Sequence, residues 1–219
     1  MVRTTLSFSL AAAMLVLTVS APVGFAQSAQ PGPTWSQEDT LRIVQDVQKK
    51  LGGLTNYGVF DWLTFATQGK TVILKGYASR PILKSEAERA VKSIPGIDSV
   101  VNQIEVLPLS PSDDRVRAAV YNRIYTQPSL RKYNANAGNL RAATGPGTSI
   151  AAAAGGITQD PPIGYHAIHI VVKNGHVTLY GVVLNQGDAA IAGMQSNSAP
   201  GAFSVDNDLI VQNSASKSK

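Results

Sequence analysis

The chain has 219 residues, 44% of them apolar and only 15% charged, enough for one large or two small domains. It has no cysteine, which excludes a disulfide scaffold, thiol chemistry, thiolate metal sites and a lipid-modified N-terminal cysteine. Nineteen basic against 14 acidic side chains give a net charge of +5, spread along the chain and too weak to argue for nucleic acid.

In chain order the first element is a targeting segment. Arg3 supplies a short positive region, residues 6–19 an apolar run, and Gly24-Phe25-Ala26 small residues at the −3 and −1 positions of a cleavage site. This is the pattern of a secretory signal peptide, residues 1–26, removed after Ala26. The run of about 14 residues is short of the roughly 20 that a spanning helix needs. No later segment is long and apolar enough to span, so the expected mature chain is exported, periplasmic or secreted, with no transmembrane span. Residues 27–38 and 212–219 read as disordered tails.

The rest of the chain repeats at a constant offset of 105: residues 60–106 align without gaps on residues 165–211. The identities include Val72/Val177, Leu74/Leu179, Gly76/Gly181, Ala87/Ala192, Pro95/Pro200, Gly96/Gly201, Ser99/Ser204, Val100/Val205, Asn102/Asn207 and Val106/Val211. They fall at turn, kink and strand positions, as they do in two copies of one unit.

Each copy begins with a helix. Ile43, Val47 and Leu51 make an apolar stripe at four-residue spacing, with Ser36 or Asp39 as N-cap and Gly52-Gly53 as stop. Val116, Val120 and Ile124 repeat the spacing, with Ser112-Asp113-Asp114 placing a cap and acidic residues at the positive end of the helix dipole. A hairpin follows, turning at Gly69-Lys70 in the first copy and at Asn174-Gly175 in the second. Leu63, Phe65, Val72, Leu74 and Gly76 share one face, as do Ile168, Ile170, Val177, Leu179 and Gly181. The missing side chains at Gly76 and Gly181 are expected to let a helix approach the sheet. Pro81 then opens a second helix with Leu83, Ala87, Ala90, Val91 and Ile94 inward and a Glu88–Lys92 pair outside. Its counterpart has Asp188 as cap candidate, Ile191 and Met194 inward, and Gly193 as a weak point. A strand closes each copy, residues 99–106 and 203–211.

The predicted fold class is α+β: two tandem α-β-β-α-β domains, residues 39–107 and 113–211, each a three-stranded mixed sheet with two helices on one face. The second domain carries an insertion at about 131–163, rich in Gly, Ala and Pro, expected to be flexible and dispensable for folding.

The pattern Val72-x-Leu74-x-Gly76, then a helix, then Pro95-Gly96-Ile97-x-x-Val100-x-Asn102-x-Ile104-x-Val106 resembles the BON domain. The second copy matches it as Val177-Thr178-Leu179-x-Gly181 and Pro200-Gly201-x-x-x-Val205-x-Asn207-x-Leu209-x-Val211. The domain takes its name from bacterial osmotic-shock and nodulation proteins. The resemblance implies an exported envelope protein similar to the osmotically inducible ones, non-catalytic, without cofactor, binding a phospholipid surface or an envelope protein in support of envelope integrity or stress tolerance. The alternative is a structural or stress-protective periplasmic protein with no specific lipid binding.

Residues that could carry chemistry are few. His166 and His169 point to opposite faces of one strand and His176 lies across the turn, so no metal site is expected and the three read as solvated strand histidines. No nucleophile elbow is present, and Gly145-Pro146-Gly147-Thr148-Ser149 lacks the lysine of a phosphate loop. Trp62, Tyr77, Tyr180 and His169 fall on the sheet face opposite the helices. That face reads either as a half-exposed surface with cross-strand aromatics or as a contact surface for the other copy or a partner. Arg117, Tyr121, Arg123 and Tyr125 on the first helix of copy two, followed by Arg131 and Lys132, read either as a solvated face or as the contact with an anionic lipid surface or partner.

Overall fold

The computed structural model describes residues 34–134 and 166–212, and both repeats lie in one compact unit. Helix α1 spans Gln37–Gly52, and the Ser36 hydroxyl caps it by accepting from the Asp39 N–H. Its buried stripe is Ile43, Val47 and Leu51. Strands β1 (Trp62–Gln68) and β2 (Thr71–Ala78) form the hairpin, and helix α2 (Pro81–Lys92) starts at its proline. Strands β3 (Ser99–Asn102) and β4 (Glu105–Val106) then run parallel to β2. Residues 99–106, predicted as one strand, are thus two; the register is unchanged across the break, as Leu74↔Asn102 and Tyr77↔Glu105 have the same spacing.

The second repeat has α3 (Pro111–Tyr125), a single 3₁₀ turn (Arg131–Tyr133), β5 (Ile168–Lys173), β6 (His176–Val183), α4 (Gln186–Asn197) and β7 (Ser204–Val211). Its sheet has the order β5-β6-β7, with β7 parallel to β6. Val72↔Val100 in one sheet matches Val177↔Val205 in the other, and α2 and α4 coincide at an offset of 105. The α+β fold of two mixed sheets with helices packed on them is therefore the one that the repeat predicts.

The shared residues have shared physical roles. Gly76 and Gly181 have φ of +112° and +126°, and a Cβ there would stand 2.0 and 1.9 Å from the carbonyl oxygens of Trp62 and Ala167 on the adjacent strand. The expected helix approach is not the reason for glycine; the positive φ and the close carbonyl of the paired chain segment are. Asn102 and Asn207 each donate a side-chain N–H to a carbonyl eighteen residues earlier, Lys84 at 2.9 Å and Ala189 at 2.8 Å, tying the last strand to the second helix. Ser93 and Ser198 are both C-caps.

Other expectations shift. The cap of α3 is Ser110, with Pro111 as first helical residue, and the cap of α4 is Asn185, whose side chain accepts from the Asp188 N–H. The inward side of α4 is Ala189, Ala192 and Ser196, while Met194 is exposed. Small residues serve there because α4 lies close to β7: a Cβ on Gly193 would stand 2.9 Å from the Asn207 amide nitrogen. The start of the insertion is core rather than flexible, since Tyr133 and Asn134 are buried and the Ala167 N–H donates to the Tyr133 carbonyl. Residues 135–163 of the insertion, residues 164–165, the signal segment and the tails apart from Gln212 and residues 34–38 lie outside the described residues.

Candidate functional site

The face opposite the helices of one domain meets that of the other. Trp62 and Tyr77 are cross-strand neighbours on β1 and β2, and His169 and Tyr180 are cross-strand neighbours on β5 and β6. The four rings close on one another. Trp62 stacks on Tyr180 with centroids 5.3 Å apart and planes 3° apart, Tyr77 stacks on Tyr180 at 6.4 Å, and Trp62 tilts against His169 at 5.3 Å. Tyr57 stacks on the other side of His169 at 5.1 Å. Of the two readings of these side chains, the contact with the other copy is the one that the geometry displays. Offset and edge arrangements of this kind add about 0.5–1.5 kcal/mol per pair beyond their area.

Backbone and charge reinforce the seam. The Ile170 N–H donates to the Val59 carbonyl at 2.8 Å, which occupies part of the free edge of β5. Lys173 of β5 pairs with Glu105 of β4 at 2.6 Å. Val59 and Phe60, just before β1, are buried in the core of the second domain, where Phe60 meets Tyr121 edge-on at 6.1 Å. Sequence reasoning missed this insertion, because the two residues precede a strand of the first domain. Between the domains lies a cleft of about 260 Å³ lined by Tyr77, Val171, Lys173, Asn174, His176 and Thr178.

His169 is enclosed by Tyr57 and Trp62, with Nδ1 3.2 Å from the Gly58 carbonyl oxygen. Burial pushes its pKa down to about 4, although the nearby carbonyls of Gly58 and Asp61 favour the charged form. His166 is buried against Tyr121 and Tyr125, its Nε2 3.3 Å from the Tyr121 hydroxyl. His176 is exposed and bonded to Ser204. Two of the three histidines are therefore core or seam residues, not solvated ones. Among the described residues no three His, Asp or Glu side chains converge as a metal site.

The side chains expected to form a lipid or partner contact divide. Arg117, Tyr121 and Tyr125 are buried and cannot face a membrane in this fold. The Arg117 guanidinium donates to the Val172 carbonyl at 2.7 Å and pairs with Asp114 at 2.6 Å. The Tyr121 hydroxyl accepts from the Asn134 amide at 3.1 Å, and Tyr125 donates to the Ile168 carbonyl at 2.6 Å. Burial raises the Tyr121 pKa. The i,i+4 spacing did place these three on one helix face, but Val59, Phe60, Leu130 and Tyr133 contribute to the same core and convert that face to interior. Arg123 is exposed and donates to Ser198, Arg131 is half-buried and donates to the Thr126 carbonyl, and Lys132 is exposed and pairs with Asp188 at 2.7 Å.

The remaining polar clusters serve the fold. Buried Asp61 accepts from the Ser79 N–H and hydroxyl and from the Gly58 N–H; burial raises its pKa against those bonds. Asp113 accepts from the Asn174 and Gly175 N–H groups at 2.9 and 2.8 Å and so holds the β5–β6 turn, where Asn174 has a φ of +53°. Tyr133 donates to Asp188 and accepts from the Leu184 N–H. Burial opposes the charge on Asp188, yet the bonds from Lys132, Tyr133 and Asn185 hold its pKa below the usual carboxylate range. No helix among the described residues is long and apolar enough to cross a membrane.

Comparison with known proteins agrees with the repeat. The family model of the BON domain matches residues 64–108 and again residues 152–213. Two solved structures of CdsD, a structural protein of the type III secretion system of Chlamydia trachomatis, are similar at low identity. Its C-terminal domain is 15% identical with a TM-score of 0.24, covering 81% of this chain and 99% of that one. The other is 14% identical with a TM-score of 0.24, covering 80% and 95%. No curated protein matches the sequence.

Proposed function

The chain carries two BON domains in tandem, and on that premise we propose that it is an exported, non-catalytic binding module of the cell envelope, periplasmic after loss of residues 1–26. The observation that supports this reading is the placement of its polar groups. Asp61, Asp113, Arg117 and Tyr133 bond to backbone groups, and the Asp188 carboxylate accepts from Tyr133 and Asn185, so among the described residues these groups are engaged in holding the fold. In this reading the body attaches to an anionic phospholipid surface or to an envelope protein. Arg123, Arg131 and Lys132 supply the contact that remains once Arg117, Tyr121 and Tyr125 are assigned to the core. Each cation near an anionic surface contributes about 1 kcal/mol, so attachment is weak and salt-sensitive.

Flotation with liposomes of defined charge tests the reading. Binding to anionic but not neutral vesicles, lost on adding salt and weakened by Arg123→Glu with Lys132→Glu, supports the lipid contact. A folded protein that floats with neither kind of vesicle rejects it in favour of a protein partner or a structural, stress-protective role.

A further inference from the structure

The seam joins two different surfaces of what is one repeated unit. Trp62, Tyr77 and Glu105 lie in one row across the first sheet, as the pairings Trp62↔Tyr77 and Tyr77↔Glu105 show, and this row faces the second domain. The second domain answers with His169, Tyr180 and Lys173, whose counterparts 105 residues earlier are Thr64, Lys75 and Gln68. The contact is therefore heterologous, and each domain keeps the half that the other has used.

In the second domain the row equivalent to Trp62, Tyr77 and Glu105 is Ala167, Val182 and Ile210. Val182 and Ile210 are register partners on β6 and β7, 48% and 61% exposed, on the same face as Tyr180 and so continuous with the seam. Asp206 and Asp208 stand beside them on that face of β7, exposed and without an ion pair among the described residues. In the first domain the unused face holds Ile73 and Val101, register partners with Val101 43% exposed, and next to them the exposed Lys75, also without an ion pair among the described residues. One free face is aliphatic with carboxylates, the other aliphatic with an ammonium.

We propose that a second copy of this chain docks head to tail on these faces, Val182, Ile210 and Asp208 of one molecule against Ile73, Val101 and Lys75 of the next. Apolar contact supplies the attraction, and the opposite charges set orientation and disfavour like-to-like pairing. A contact of this kind leaves one face open at each end, so chains or closed rings form rather than a two-fold dimer. The proposal rests on the repeat and its register and is independent of any lipid contact.

Sedimentation velocity of the purified chain tests it. The expected result is an average mass that grows with concentration. Ile210→Glu and Val101→Glu, both at exposed positions, should each weaken association at least about tenfold with an unchanged circular dichroism spectrum. Mixing the two variants is the decisive arm: each retains one intact face, so the mixture should form dimers and stop there. Lys75→Glu should weaken association, and Lys75→Glu with Asp208→Lys should restore it. A chain that stays monomeric at every concentration, association that both variants leave intact, or a mixture that yields no dimers would overturn the proposal.

Discussion

The two domains share their geometry and differ in what covers their first helix. In the first, α1 buries Ile43, Val47 and Leu51 along a single stripe. In the second, α3 buries Asp113, Val116, Arg117, Ala118, Val120, Tyr121, Ile124 and Tyr125, because Val59, Phe60, Leu130 and Tyr133 close over the side that α1 leaves to solvent. The same unit thus serves once as a small half-wrapped domain and once as a core into which the first domain inserts. Residues identical between the copies, such as Gly76/Gly181 and Asn102/Asn207, build the unit, while the seam is made by positions that differ, Trp62 against Ala167 and Tyr180 against Lys75. Positions that differ between the copies, rather than those they share, make the contact between them.

Both hairpins should be most sensitive to substitution at Gly76 and Gly181. Gly76→Ala and Gly181→Ala each force an L residue into positive φ and a Cβ onto a carbonyl oxygen, so each should lower unfolding free energy by about 3–5 kcal/mol in urea titration. A neutral result at either one would show that the two hairpins do not share a geometry. Phe60→Ala follows, with an expected loss of about 3–4 kcal/mol. Because Phe60 precedes β1 yet packs on Tyr121, the loss should appear as earlier unfolding of the second domain; a change confined to the first domain would contradict the insertion.

His169 makes the seam sensitive to pH. Its folded pKa, about 4, lies below the usual histidine value of 6.5, so the unfolded chain takes up the proton first on acidification. Its contribution is complete above pH 6.5 and is lost as pH falls from there towards 4, by about 3 kcal/mol. Asp61, with its raised pKa, works in the opposite direction, favouring the fold as pH falls. His169→Phe keeps an aromatic ring in the seam and removes the titration, so the variant should gain stability relative to the parent as pH falls from 7 to 4. A pH-independent difference would show that burial in the seam does not lower its pKa. The smallest effect is expected at Asn102→Ala and Asn207→Ala, about 1–2 kcal/mol each by thermal unfolding, with near-equal values if both anchors act alike.

Much of this was open to inspection in the residues. The 105-residue offset located both hairpins, the parallel last strands and the second helices, and the alternation along β1, β2, β5 and β6 put Trp62, Tyr77, Tyr180 and His169 on the face that became the seam. The contact expected on α3 was not recoverable in the same way. Tyr121 and Tyr125 at i,i+4 define a face whether it is wet or dry, and Arg117 looks like a surface cation until Val172 and Asp114 are seen around its guanidinium. The caps moved for a related reason: Ser110, Ser112 and Asp113 are all competent N-caps, and the backbone entering Pro111 selects the first of them.

What the sequence determined by itself is the unit: period-two alternation, positive-φ glycines and Asn-Gly chemistry act within a few residues or across one turn, so they are written locally. Which surfaces of the two units are interior depends on long-range packing. Val59 and Phe60 are buried because a second core, more than a hundred residues away along the chain at β5, offers them apolar contact and the Ile170 N–H a carbonyl partner. Burial is a property of what arrives on the other side of a face, and no spacing within that face encodes it.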